Sequence, residues 1–280
     1  MSDTTLEKII LDTIDIPSLP PIARKVMQLA YRDLTTLNEL ERIIAMDQAF
    51  STRLLKIANS PYFARSRTIE NIPTAIMIIG FDNMKNFVIA TSLNDIHRKH
   101  GIMEQKLWEH SLGVSLAASM LATEAGMVCP EEALVAGLIH DVGKTILNNS
   151  IPAQYSLVAK KVREEEISFI EAENTIIGFS HCSVGGLIAR KWQLPNKLET
   201  VIEHHHSATL QGIEGNHVRL LCQTISLADA MCLNMGIGLT KAVKAKQVYP
   251  VISRLTGQRL SELEEEFQNR FNEQKHELLD

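Results

Sequence analysis

Residues 131–147 read EEALVAGLIHDVGKTIL. Apolar residues recur at helical spacing up to Ile139, and His140 continues the face of Leu134 or Val135 and Leu138. Asp141 stands beside it, at the inner edge of the stripe. Both side chains titrate, and both are costly to bury without partners. Two readings are open. One is a helix C-terminus, with Gly143 as the stop and Lys144 facing the helix dipole. The other is a pair of metal ligands. Neighbouring helical residues point about 100° apart, so an ion at the helix edge can reach both. A neutral nitrogen donor beside an anionic oxygen donor suits Fe, Mn or Zn.

The bulk properties narrow the field. The chain has 280 residues, 45% hydrophobic and 22% charged, which suits a soluble globular protein. Aromatics are only 5%, so the core is mainly aliphatic, which favours helices over a sandwich or barrel. A net charge of −5 argues against an extended DNA-binding face. The basic spot HRKH at 97–100 reads as a solvated helix end. Cys129, Cys182, Cys222 and Cys232 form no CxxC pair, so a zinc ribbon is not expected and reduced thiols in a cytoplasm fit best. The start, MSDTTLEKIILDTIDIPSLP, lacks the pattern of a signal peptide. The longest apolar run, AIMIIGF at 75–81, is far short of a membrane span. A soluble cytoplasmic protein without a membrane partner is expected.

Strand-like alternation is nearly absent, and the periodicity predicts an all-α fold. PSLPPIARKVMQLAYR places Ile22, Val26, Leu29 and Ala30 on one stripe. LNELERIIAMDQAFSTRLLKIANSPYF predicts two short helices meeting near Asp47, which can cap the second, with Asn59-Ser60-Pro61 as its stop. NIPTAIMIIGFDNMKNFVIATSL predicts two more, broken at Gly80-Phe81-Asp82. Near the C-terminus Leu260, Leu263, Phe267 and Phe271 form a stripe opposite a charged face; packing on the body is favoured over service to a partner. The expected plan is an N-terminal helical half over 1–100, a second helical domain over 101–235, and amphipathic helices over 236–280.

From residue 101 onward, titratable residues recur on apolar stripes. His110 shares a face with Val114, Ala117 and Leu121. In FSHCSVGGLIARKWQLP, Ser180 is a plausible N-cap and Pro195 a stop. His181 lies there with Val184, Gly185, Ile188 and Trp192, and Gly185-Gly186 permits close approach of a helix or ligand. In VIEHHHS three histidines leave a helical run, and Asp229 shares a face with Leu221, Cys222, Ile225 and Cys232. Singly, each is an ordinary core or surface residue. Together, five helical segments present His, His-Asp, His, His-His and Asp to one interior, where coordination would neutralise the buried charge.

The ordered set His…His-Asp…His…His-His…Asp resembles the HD superfamily of metal-dependent phosphohydrolases. IPSLPPIARKVMQLA, IIAMDQAFSTRLLKIANSPYF and NIPTAIMIIGFDNMKNFVI narrow the resemblance to the HDOD family, which is HD-related and bacterial. The likeness covers roughly residues 13–235. It implies an all-helical HD-like core with an additional N-terminal helical subdomain. It also implies one or two divalent metal ions, Fe or Mn foremost, with Zn, Ni or Mg also compatible.

Carried over by position, His110, His140, Asp141 and Asp229 would hold the first ion. Asp141 would bridge to a second, held by His181 and a histidine pair. The family places that pair three and four residues after an Ile, so Ile202 selects His205 and His206, and His204 takes a variable place. Lys144 matches the lysine that follows His-Asp in the related HD-GYP phosphodiesterases, near a phosphate oxygen; a cation at a helix C-terminus is its other reading. Asp141 and Lys144 are thus the catalytic candidates. No GYP follows the histidines; the chain runs SATLQGIEGNHV. The resemblance implies a phosphohydrolase acting on a phosphate ester or nucleotide in bacterial signalling. The alternative it implies is a non-catalytic regulatory module that binds a partner protein or nucleotide, as HDOD proteins are regarded as regulatory.

Overall fold

Side-chain caps at Asp47, Asn71, Ser168 and Ser180 mark where four of the helices begin. The computed structural model describes residues 3–14, 21, 25, 37–59, 68–80, 84, 101–207, 209–239 and 257–279. The fold is all-α, with no strand among the described residues. The chain divides into two compact units, one formed by residues 1–18 and 96–264, the other by residues 19–95 and 265–280. No helix among the described residues is long and apolar enough to cross a membrane.

Helix α1 (Asp3–Thr13) belongs to the first unit and buries Ile10. Helices α2 (Leu37–Ala45), α3 (Gln48–Ala58) and α4 (Ile72–Ile79) build the second. Leu40 and Ile44 on α2 and Phe50, Leu54 and Ala58 on α3 are buried at steps of four, the stripe a core-facing helix requires. Asp47 Oδ1 accepts the Phe50 N–H at 2.9 Å, so α3 starts at the expected cap. Asn71 accepts the Thr74 N–H and starts α4, which ends before Gly80 at φ +93°. The helix expected over 17–32, apart from Pro21 and Lys25, lies outside the described residues, as does HRKH.

The first unit is organised around α5 (Ile102–Ala125), whose residues from Leu107 to Ser119 are all buried. Around it run α6 (Pro130–Ile139), α7 (Val142–Ser150), α8 (Pro152–Glu165), α9 (Phe169–Ile176), α10 (His181–Lys191), α11 (Asn196–His204) and α12 (Asn216–Asn234). Helices α6 and α12 pack on α5, α7 packs on α10, and α10 on α11. Ser115 Oγ donates to Leu134 O at 2.7 Å and so pins α5 to α6 just before the His-Asp pair. The last helix, α13 (Gly257–Leu279), buries Leu263, Phe267 and Phe271 of the expected apolar stripe.

GLIHDVGK is a junction between two helices. Helix α6 ends at Ile139, Asp141 leads into α7, and Gly143 and Lys144 sit in the first turn of α7. This corrects the reading of Gly143 as a stop. A Cβ at Gly143 would collide with the backbone carbonyl of His181. The glycine is there to let α7 and α10 touch backbone to backbone.

Candidate metal centre

Each helix delivers its polar residue through a local device. His140 follows the last turn of α6, and its Nδ1 lies 2.7 Å from Gly137 O. Ser180 caps α10, which places His181 at the first helical position. His205 leaves α11 with Nδ1 3.0 Å from Ile202 O. His110, from mid-α5, sets Nδ1 3.0 Å from Ile237 O in the loop after α12. Gly238 follows at φ +115°, and a Cβ there would press on the His110 ring. Asp229 comes from α12.

The structure therefore brings His110, His140, Asp141, His181, His205, His206 and Asp229 together. His110, His140 and Asp141 form one group of donors; Asp141, His181, His205 and His206 form another. Asp229 joins the first through His110, Nε2 to Oδ1 at 2.9 Å. Asp141 faces both ways. Its Oδ2 lies 3.6 Å from His110 Nε2 and 3.4 Å from His140 Nε2. Its Oδ1 lies 3.3 Å from His181 Nε2 and 3.4 Å from His205 Nε2. His206, on the more open side, sets Nδ1 3.7 Å from Asp229 Oδ2. His204 points elsewhere, with Nδ1 3.3 Å from Ser207 Oγ.

These rings share one arrangement. In His110, His140 and His205, Nδ1 faces a backbone carbonyl, and in His181 it faces a carboxylate, so Nδ1 carries the proton. With the ring neutral, each Nε2 then presents a lone pair. The four Nε2 atoms, with Asp141 Oδ1 and Asp229 Oδ1, are buried without a hydrogen-bond partner. Lone pairs of imidazole turned toward carboxylate oxygens repel unless a proton or a metal cation stands between them. Two donors each ~2.1 Å from one ion lie ~3.0 Å apart at a right angle and ~3.4 Å apart at the tetrahedral angle. The separations of Asp141 from its four histidines, 3.3–3.6 Å, and of His110 from Asp229, 2.9 Å, fall near that scale. The residues present fit a divalent metal.

Burial and neighbouring charge pull these groups in different directions, lowering His140 and His206 and raising His205. Burial pushes the Asp141 carboxyl up, but the His140 and Lys144 charges outweigh it and hold it well below the usual range. Asp229 is likewise held down, burial being outweighed by His110 and His206. Burial is the largest influence on His140 and His206 and lowers the pKa of both, His206 the further. Lys144 Nζ reaches Asp141 Oδ2 at 2.6 Å and lies 4.7 Å from the centre of the Phe169 ring.

One layer of the centre is absent from the sequence reading. Glu173, fully buried on α9, accepts the His181 backbone N–H at 2.8 Å and its Nδ1–H at 2.7 Å. Tyr155 on α8 donates its hydroxyl to the other Glu173 oxygen at 2.9 Å. Burial and Glu173 push the phenol pKa well up, so it remains a donor. A carboxylate behind a ligating imidazole fixes its tautomer and raises its basicity. Burial alone would make His181 less basic, yet Cys182 and Glu173 raise it to about 10.

The wider likenesses are consistent with this core. An uncharacterized protein of Treponema pallidum (strain Nichols) is 24% identical over 210 residues, which are 73% of this chain and 40% of that protein. YuxH of Bacillus subtilis (strain 168), also uncharacterized, is 25% identical over 120 residues, 43% of this chain and 29% of its own length. The chain thus spans well under half the length of these relatives. Among solved structures, an HDOD domain protein of unknown function from Geobacter sulfurreducens superposes with a TM-score of 0.75 at 25% identity, covering 99% of this chain and 95% of that one. A candidate metal-dependent phosphohydrolase from Shewanella amazonensis SB2B shares the fold, with a TM-score of 0.66 at 19% identity over 97% of this chain and 100% of its own. The HDOD domain model itself matches residues 16–208, more than half of the sequence, and the chain belongs to the HDOD family.

Proposed function

We propose that this protein is a metal-dependent phosphohydrolase acting on a phosphate ester in bacterial signalling. The observation that carries the reading is the set of donor separations around Asp141, whose two oxygens face two separate groups of Nε2 lone pairs. His110, His140 and Asp229 would hold one ion, His181, His205 and His206 a second, with Asp141 between them. Fe or Mn suits this mixture of imidazole and carboxylate. Divalent ions so held lower the pKa of water and draw charge from phosphoryl oxygens. Lys144 restrains Asp141 and keeps ammonium protons beside the site, where a phosphoryl oxygen can accept one. Glu173 and Tyr155 hold His181 in its ligating tautomer.

The test is hydrolysis of p-nitrophenyl phosphate and bis-p-nitrophenyl phosphate by tag-free protein reconstituted with Fe(II) or Mn(II). Release of nitrophenol that disappears in Asp141→Asn is expected. No release from either ester with either metal overturns the reading.

One observation favours a second reading, a non-catalytic HDOD module that binds a partner protein or nucleotide. The Lys144 ammonium already compensates Asp141 at 2.6 Å, as a metal-independent polar core would require. On that reading Asp141→Asn lowers partner or nucleotide binding, and no hydrolysis exists to be lost.

A further inference from the structure

Beside the metal centre lies a cavity of about 640 Å³, within the range of small-molecule sites. It reaches the donor cluster at His206. Its apolar lining comes from Ile10 of α1, Ile170 of α9 and Leu187 of α10. Glu7 and Ile10 both line it, so α1 forms part of the wall.

The charges on the remaining wall restrict what can enter. Among the described lining residues, Arg190 is the one Lys or Arg, while Glu7 and Glu203 are carboxylates. The Arg190 guanidinium is committed, with Nη1 2.8 Å from Glu199 Oε1 and 2.6 Å from Glu203 Oε1. A phosphoryl group at the metal centre would meet positive charge. A second phosphate further into the cavity would meet Glu7 and Glu203 and a cation already neutralised, a like-charge arrangement that costs binding energy.

We infer that this cavity receives the uncharged organic body of a phosphomonoester, and that Glu7 and Ile10 of α1 determine that specificity. Bodies of nucleoside or sugar size, with an apolar face toward Ile10 and hydroxyls toward the polar wall, belong to this class. Di- and triphosphates do not. The inference rests on the hydrolase reading for its catalytic meaning, while the binding preference stands apart from turnover.

The experiment measures binding without turnover. Full-length protein loaded with Mn(II) is titrated with two hydrolysis-resistant probes, the methylenephosphonate analogue of AMP and α,β-methylene-ADP. The monophosphate analogue is expected to bind ~10-fold tighter, a difference of ~1.4 kcal/mol. Glu7 is exposed, so Glu7→Lys is expected to fold and to shrink that ratio with metal content unchanged. Ile10→Trp is expected to weaken both probes. Equal affinities, no binding of either probe, or a ratio indifferent to Glu7→Lys overturns the inference. If the preference is found while p-nitrophenyl phosphate is not hydrolysed, the hydrolase reading fails and the cavity assignment stands. If hydrolysis is found without the preference, the cavity assignment alone fails.

Discussion

The two helical units solve the problem of an interior differently. In the unit built from α2, α3 and α4, the buried side chains among the described residues are apolar, Leu40, Ile44, Phe50, Leu54 and Ile76 among them. In the unit around α5, aliphatic packing surrounds a polar centre. Every buried polar or charged residue among the described residues falls between Glu109 and Asp229. A core of the first kind is stabilised by removing area from water. A core of the second kind gives up some of that stabilisation, and a sequence keeps it when the polar groups have work to do. The contrast singles out the His and Asp cluster around Asp141 as the part of the molecule that departs from apolar packing.

The largest expected effect strikes the polar core. Asp141→Ala leaves the buried Lys144 ammonium without its carboxylate and removes the side chain that faces both donor groups, which should cost ~3–5 kcal/mol. Adding Lys144→Met should recover most of the stability and none of the metal binding, a pair of results that denaturant melts and metal analysis separate. Next, Phe50→Ala in the apolar unit should cost ~3–5 kcal/mol through lost packing, yet leave metal stoichiometry intact under native conditions. Loss of metal in that variant would erase the contrast between the units.

A smaller effect is expected with pH. In metal-stripped protein the folded His181 pKa is raised from 6.5 to about 10. Its contribution to stability is therefore full below 6.5 and is lost as pH rises toward about 10. The melting temperature in chelator should fall across that window, and Glu173→Gln should flatten the fall. A flat profile in the wild type would count against the Glu173–His181 pair. The smallest effect is Asp47→Ala, which removes one N-cap and should cost ~1 kcal/mol without touching the metal centre.

Much of this arrangement can be read without coordinates, for reasons specific to each residue. The α2–α3 joint is legible because a cap acts within three residues, and Asp47 bonds Phe50. The start of α10 at Ser180 is legible for the same reason. The ordered His and Asp residues stand out because titratable groups are rare on apolar stripes. Glu173 and Tyr155 do not stand out. A glutamate within FIEAENTI reads as solvent-facing, and only the packing of α8, α9 and α10 buries it behind His181. The purpose of Gly143 is also set by tertiary approach, since the carbonyl it makes room for belongs to another helix. Likewise the carbonyl behind His110 is 127 residues away at Ile237. Local patterns reveal which residues are costly to bury, and long-range packing decides what satisfies them.

The most direct test of the central claim is elemental analysis of tag-free protein after anaerobic loading with Fe(II) or Mn(II) and removal of excess metal. The account predicts about two ions per chain, as a bridged two-metal site requires. His110→Ala and His181→Ala should each retain about one, and Asp141→Ala fewer than either. Wild-type protein that retains no divalent metal under these conditions would contradict the account.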